Sequence, residues 1–294
     1  MRFFFFVFYF SLGFCAYADT YPASPAGGGY FQIYAESDYV FALDDNDFDV
    51  NLQKKGFTIE MWIYLTRPQK LLDKAAAQGT ERWTIIKKKD SYGLQLTPLS
   101  ARLQFTFTHP RAQDIFLGPD RQIREKRWHY IAIMLSNAYV QQVVDTRLWG
   151  RKVRDLGVRD IRDLLAFRTS DSPLQIGGGG PSLIGILEGP LKGKPVLSNF
   201  TGGLIDEVRI SNIIRYPWAQ LDKEFWEDTI QMPAGPFEPD EHTVALWHFD
   251  FDGSGGSRWR DASGNGHHLT YHGDYLGIEP AEKLAVTWAE LKRE

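Results

Sequence analysis

Between Phe57 and Leu65 the chain alternates. Phe57, Ile59, Met61, Ile63 and Leu65 fall on one face, and Thr58, Glu60, Trp62 and Tyr64 on the other. A period of two marks an extended strand, because successive side chains leave a pleated backbone on opposite sides. Short runs of the same kind recur. F-Q-I-Y and Y-V-F-A-L flank a turn at Glu36-Ser37-Asp38. Arg82 to Lys88, Tyr92 to Thr97 and Leu103 to Thr108 follow, separated by Asp90-Ser91 and Pro98. Trp128 to Leu135 is a fuller apolar run, as a central strand requires, and Val244 to Phe249 is another strand. Many short strands at regular spacing predict a sandwich or barrel.

The pattern breaks in a few places. Arg151 to Phe167 sets Val153, Leu156, Ile161, Leu164 and Leu165 among Arg and Asp at roughly helical spacing, which reads as a helical or loop excursion. Pro217 opens a clearer helical pattern, with Trp218, Leu221, Phe225 and Trp226 on one stripe. This predicts one short helix capping the sandwich. Gly177 to Gly180 lacks the Lys-Ser/Thr and the strand–loop–helix setting of a phosphate cradle, so it reads as a tight turn. Tyr21 to Gly29 is rich in Pro and Gly and predicts a flexible linker. The last residues, K-L-A-V-T-W-A-E-L-K-R-E, suit a short helix.

The front of the chain has its own logic. Arg2 precedes an apolar run from Phe3 to Phe10 that resumes at Leu12, and Ala16-Tyr17-Ala18 supplies an A-x-A exit. This predicts a secretory signal over residues 1–18, a linker over 19–29, one domain over 30–277 and a tail over 278–294. The apolar run is roughly a dozen residues, short of the ~20 that span a bilayer. An uncleaved anchor is the other reading of the same run. Cys15, the only cysteine, lies inside the signal, so the mature chain has no disulfide, thiolate ligand or cysteine nucleophile. The net charge of −4 is mixed and mildly acidic, which argues against a nucleic-acid partner.

Four pieces in order carry a resemblance. F-T-I-E-M-W-I looks like an "FTIEAW" strand, and R-W-H-Y-I-A-I-M like a "WHHVAV" strand. G-G-L-I-D-E-V-R-I-S looks like a "G.IDEVRI" strand, and A-L-W-H-F-D with D-A-S-G-N-G-H like a "YWpFDe…DsSGNG" unit. The chain thus resembles the laminin-G-like, concanavalin A-type jelly roll over roughly Phe31 to Tyr271. The resemblance implies an all-β fold, a two-sheet antiparallel jelly-roll sandwich of about a dozen strands or more. In many members the last unit comes first; here it closes the domain. The usual "YvNGk" hairpin is missing, and Y-V-Q-Q-V-V-D-T-R-L-W stands in its place. Exported eukaryotic domains of this type often carry disulfides, so the lack of cysteine points to bacterial export.

The chemistry follows from these placements. Asp206 is expected to share a strand face with Leu204, Val208 and Ile210, with Glu207 pointing the other way. A carboxylate on an apolar face needs a hydrogen bond, a partner or a metal. Asp250, Asp252, Asp261 and Asn265 sit in Gly-rich turns, where hard oxygens suit calcium but turn formation alone also suffices. The resemblance implies one structural calcium, with Asp206, Asp250, Asp252, Asp261 and Asn265 as its candidate ligands. His267, His268 and His272 lie too far apart on a strand to hold zinc together. Related glucanases place alternate carboxylates on one strand as E-x-D-x-x-E or E-x-D-x-E; this chain lacks that pattern, and no catalytic residue is assigned. Trp62, Trp128 and Trp247 read as core. Trp149, Trp83 and Trp259 flank loops, and Trp149 with Arg147 and Arg151 is the candidate sugar platform. The expected function is an exported, non-catalytic recognition module for glycan or a cell-surface or matrix protein, met at loops or the concave sheet face. An adhesion or scaffold protein is the alternative, and a glycosidase the lesser one.

Overall fold

Phe57–Leu65 forms a strand as its alternation predicts, but all nine of its residues are buried. The computed structural model describes residues 21–33, 38–50, 56–66, 69–78, 82–108, 114–117, 122–136, 139–152, 169–178, 181–182, 196–197, 200, 202–216, 225–250 and 258–273. The expected signal over residues 1–18, Asp252, most of the 151–167 excursion and the 278–294 tail lie outside these residues. The first sheet holds β1 (Phe31–Gln32), β3 (Phe57–Leu65), β8 (Trp128–Leu135), β9 (Tyr139–Val144), β10 (Arg147–Lys152), β14 (Gly203–Ser211), β15 (Phe225–Thr229) and β16 (Thr243–Trp247). The second holds β2 (Tyr39–Ala42), β4 (Trp83–Lys88), β5 (Tyr92–Thr97), β6 (Arg102–Thr108), β7 (Asp114–Leu117), β11 (Leu174–Ile176), β17 (Arg258–Trp259) and β18 (Leu269–His272). β12 (Pro181–Ser182) and β13 (Val196–Leu197) pair apart from both. The orders are β1-β14-β3-β8-β9-β10-β15, with β16 also on β14, and β17-β18-β2-β11-β4-β5-β6-β7. The chain is therefore the expected all-β, two-sheet antiparallel sandwich.

The core between the sheets takes the inward residues of both. Ile59, Met61, Ile63, Ile131, Ile133, Ile205, Val208 and Ile210 face Val40, Ile86, Leu94, Leu103, Phe105, Leu174 and Leu269. Trp247 is fully buried there and donates its Nε1 hydrogen to the His267 carbonyl at 2.8 Å. The outward residues of the first sheet build a second layer: Trp62, Tyr64, Trp128, Tyr130, Met134, Val143, Leu148, Leu204 and Leu246. Three segments cover it, through Tyr21, Ala26 and Tyr30, through Ile214 and Tyr216, and through Ile230, Met232 and Phe237. The stretch expected as a flexible linker is part of that cover. Tyr21 lies 5.7 Å from the Tyr64 ring, and Trp128 Nε1 donates to the Pro22 carbonyl at 2.9 Å.

Helices are few among the described residues. The helix expected from Pro217 does not reach Phe225 and Trp226, which open β15 and pair with the edge of β10. Trp218 and Leu221 lie outside the described residues. The helical spacing was real, but an unpaired strand edge offers a row of backbone donors and acceptors that β15 satisfies. Among the described residues the α-helix is α1, Gln69–Gln78, with sequence QKLLDKAAAQ. Ala, Leu, Lys and Gln are strong helix formers. Leu71 and Leu72 rest on the core, and Gln69 Nε2 donates to Asp73 one turn on at 2.8 Å. The hairpin for which no "YvNGk" was found also forms. β9 and β10 register as Val144↔Arg147, leaving Asp145-Thr146 as a two-residue turn with Asp145 at φ 56°. Asp accepts this left-handed conformation better than most residues.

A polar knot sits inside the outer layer. Glu60, fully buried, accepts from Tyr130 and from Tyr216 (3.1 Å) and pairs with Arg209 Nε at 2.7 Å. The Arg209 guanidinium lies 4.8 Å above the Phe237 ring. Removing one partner of a buried ion pair strands the other charge, which costs about 3–5 kcal/mol. Glu60→Ala should lower the unfolding free energy by that amount in urea titration. A loss under about 1 kcal/mol would contradict a buried Glu60–Arg209 pair.

Candidate functional site

The geometry of β14 decides where its charges go. Against β3 the register runs Asp206↔Trp62 and then Arg209↔Glu60, so β14 carries one extra residue between the two pairs. Glu207 sits in this bulge at φ 52°. A bulge moves every later side chain to the other face. Leu204, Asp206 and Arg209 therefore face the outer layer, while Val208 and Ile210 turn inward. The expected face shared by Asp206, Val208 and Ile210 is corrected by this extra residue. Glu207 also joins the outer side. It accepts the Phe237 amide at 2.8 Å and bonds His248 Nδ1 at 2.7 Å. The bulge is also where the edge partner changes, from β1 on Leu204–Ile205 to β16 on Val208–Ser211.

Asp206 is fully buried. One oxygen accepts the Glu207 amide at 2.8 Å, and Oδ2 makes no well-formed hydrogen bond. Its pKa is pushed up to about 8, chiefly by burial, with the charges of Glu207 and Asp250 adding; the Ser24 hydroxyl and the Glu207 amide pull the other way. His248 is raised by its bond to Glu207, against its own burial. Asp250 accepts the Gly29 amide at 2.6 Å. A Cβ on Gly28 would meet Asp250 Oδ1 at 1.8 Å, and Gly28 holds φ 67°, so only glycine fits there. A cleft of about 340 Å³ opens beside His248 and Asp250, lined also by Trp259, Arg260 and Ala262.

Of the expected calcium ligands, Asp206 and Asp250 lie within electrostatic reach of one another, while Asp261 and Asn265 make hydrogen bonds within their own turn. Asp261 Oδ1 accepts the amides of Leu246 and Ser263, and Oδ2 accepts the Ser263 hydroxyl and the His267 amide. The Asn265 amide group donates to the carbonyls of Thr243 and Val244. Both residues organise the D-A-S-G-N-G turn. Asp206 and Asp250 do fit a hard cation, since a buried carboxylate oxygen without a donor beside further carboxylates is what such an ion relieves.

The sugar platform expected at Trp149 is not on the surface. Trp149 is 4% exposed and belongs to the inter-sheet core, because it falls on an inward position of β10. Trp83 and Trp259 are buried too. Arg147 is exposed at the start of β10, but it has no exposed aromatic ring beside it in Trp149; Arg151 lies further along the same strand. Trp62, Trp128 and Trp247 are core, as expected.

Sequence reasoning passed over the outer face of the second sheet. The registers align one continuous row across six strands: Thr270, Phe41, Gln175, Lys87, Gly93 and Thr106. Tyr39 lies beside it, 4.6 Å from the His272 ring, and Gln95 opposes Gln104. Gly93 and Thr106 are buried, and Thr270, Phe41, Gln175, Lys87, Tyr39, His272, Gln95 and Gln104 are partly or fully exposed. Gly93 leaves a shallow dip between Lys87 and Thr106. The signal was present in Y-V-F-A, whose alternation separates Tyr39 and Phe41 from Val40 and Ala42.

Residues 35–217 match the family model of laminin-G type described as the concanavalin A-like lectin/glucanases superfamily. The chain belongs to that superfamily. Strands β15 to β18, which complete both sheets, lie beyond the matched span. Among solved structures, the superfamily chain is similar to a Bacteroides ovatus protein provisionally described as carbohydrate binding (13% identity, TM-score 0.45), covering 84% of this chain and 57% of that one. It is also similar to domains LG4-5 of the mouse laminin α1 chain (16% identity, TM-score 0.41), covering 72% and 48%. The chain thus spans about half the length of each. No curated protein matches it.

Asp206 gives this region a pH signature. The folded chain holds the Asp206 proton up to about pH 8, whereas the unfolded chain releases it near 3.8. Its stabilising contribution is full below the lower value and is lost as pH rises through the upper one. In EDTA, melting temperature should fall between pH 4 and 8 more steeply in the wild type than in Asp206→Asn. Parallel profiles would contradict the buried, protonated carboxyl.

Proposed function

We propose that the chain is an exported, non-catalytic recognition module that binds a glycan across the outer face of the second sheet. The carrying observation is the contrast between the sheets. In the first, β3, β8 and β16 are buried on both faces, while the second presents Tyr39, Phe41, Lys87, Gln175, Thr270 and His272 outward. Ligand sites combine apolar or aromatic surface with a few placed polar groups. A pyranose offers the matching pair, a C–H face for a ring and hydroxyls for amide and ammonium groups. Membership of a superfamily named for lectins and glucanases supports the glycan class.

The non-catalytic reading rests on carboxylates. Retaining and inverting glycosidases both need two flanking the scissile bond. The strands of this face carry one, Asp114, on the edge strand β7. Export is supported by the charged start, apolar run and A-x-A of residues 1–18. No helix among the described residues is long and apolar enough to cross a membrane.

One structural calcium is part of the same proposal, held by Asp206 and Asp250 where the 28–29 stretch meets β14. The ion would supply positive charge to an otherwise crowded carboxylate group. Calcium should then raise the melting temperature of the wild type over EDTA, and Asp206→Asn should abolish the difference. Equal melting in calcium and EDTA would remove the ion from the account.

Glycan-array binding tests the main reading. Saturable binding is expected, weakened roughly ten-fold or more by Tyr39→Ala or Phe41→Ala, since a stacked ring is worth about 0.5–1.5 kcal/mol beyond the area it buries. Unchanged affinity in both variants would contradict this face as the site. A protein partner captured through the same face, with no glycan bound, would favour the adhesion alternative.

A further inference from the structure

The turn between β2 and β3 carries four carboxylates, Asp44, Asp45, Asp47 and Asp49, and spends them in two ways. Lys88 is wholly buried and forms ion pairs with Asp44 and, at 3.3 Å, with Asp49. Asp45 and Asp47 have no Lys or Arg partner among the described residues. Asp45 Oδ1 accepts the Asp47 amide at 2.9 Å, capping the 3-10 turn Asn46–Phe48, so the two side chains are held on one side of a short turn.

They face His267, which arrives from the far end of the domain. This histidine is 9% exposed and packs on the Phe48 ring at 4.6 Å. Its backbone is fixed at both ends: the amide donates to Asp261 at 3.0 Å and the carbonyl accepts from Trp247 at 2.8 Å. Its Nε2 is buried and makes no hydrogen bond. The Asp47 carboxylate stands 3.8 Å from it, beyond hydrogen-bond reach. One donor atom from each of Asp45, Asp47 and His267 lies within 4.8 Å of the other two.

An imidazole nitrogen buried without a partner carries a cost that folded chains rarely leave unmet. Here that nitrogen stands beside two carboxylates, an arrangement that a cation between them would satisfy. Two carboxylate oxygens and one imidazole nitrogen suit a borderline divalent ion such as zinc or cobalt. Calcium prefers oxygen alone. Donors around a tetrahedral zinc stand about 3.4 Å apart, given bonds of about 2.1 Å. The two exposed aspartates need only small rotations to close on the fixed histidine.

We propose that Asp45, Asp47 and His267 form a divalent transition-metal site that pins the acidic turn to the turn preceding β18. β2 and β18 are paired neighbours in the second sheet, so the ion would staple the loops at one end of that pair. This site is separate from Asp206 and Asp250 and does not depend on the glycan reading.

Cobalt(II) titration of the whole, untagged chain tests it, followed by visible absorption and with zinc as competitor. One saturable cobalt per chain is expected, displaced by zinc, with affinity lowered roughly ten-fold or more in Asp47→Asn. Asp47 is exposed, so this variant keeps the fold; His267→Gln, which touches the core, is the second variant and should lose binding as well. Zinc should raise the melting temperature of the wild type and not of Asp47→Asn. No saturable cobalt binding, or wild-type affinity in both variants, would overturn the site. So would an NMR spectrum showing His267 already protonated and unchanged by zinc.

Discussion

The first sheet must be covered twice, and the rest of the structure follows from that. Its outward row of Trp62, Tyr64, Trp128 and Tyr130 is too large and too apolar to leave in water. Burying such side chains is worth about 1.5–3 kcal/mol each relative to exposure. The second sheet covers one face. The other is closed by chain from both ends of the domain: residues around Tyr21 to Tyr30, Ile214 to Tyr216, and Ile230 to Phe237. These segments also bring the polar groups that the aromatic layer lacks. Pro22 accepts from Trp128, and Tyr216 joins Tyr130 at Glu60. With β3, β8 and β16 closed on both sides, the outward face of the second sheet is the contrasting surface.

The bulge at Glu207 is the second device, and it depends on the first. One added residue lets β14 exchange its edge partner from β1 to β16. The same residue brings Glu207 and Arg209 to the covering layer, which Asp206 already faces with Leu204, and there each has a task. Arg209 neutralises Glu60, Glu207 fastens Phe237 and His248, and Asp206 meets the start of the domain beside Asp250. The cost is a left-handed residue and a carboxyl that holds its proton to about pH 8.

The fold class was legible because period-two alternation survives in β3, β5 and β6, and because four short motifs recur in order. The double cover of the first sheet was not, although Trp62 and Tyr64 on the "polar" face of β3 hinted at it. Alternation reports that two faces differ, not that both are buried. The I-D-E-V-R carboxylates were placed on opposite faces because a bulge has no local signature when its residue is not glycine. Trp149 was misjudged for a related reason: Asp145-Thr146 makes a tight hairpin without the usual letters, so the tryptophan lies on a strand and not in a loop. Asp261 and Asn265 were ambiguous in sequence, since turn formers and calcium ligands are the same residue types. Only their hydrogen bonds separate the roles. His267 was visible as a histidine, but its meeting with Asp45 and Asp47 depends on tertiary pairing of distant turns.

The asymmetry between the two sheets is the central claim, and hydroxyl-radical footprinting of the native chain reads it most directly. Tyr39, Phe41 and His272 should be oxidised readily, while Trp62, Tyr64, Trp128 and Tyr130 should stay protected until the chain unfolds. Equal labelling of the two groups, or protection of Tyr39 and Phe41 with labelling of Trp62 and Trp128, would contradict it.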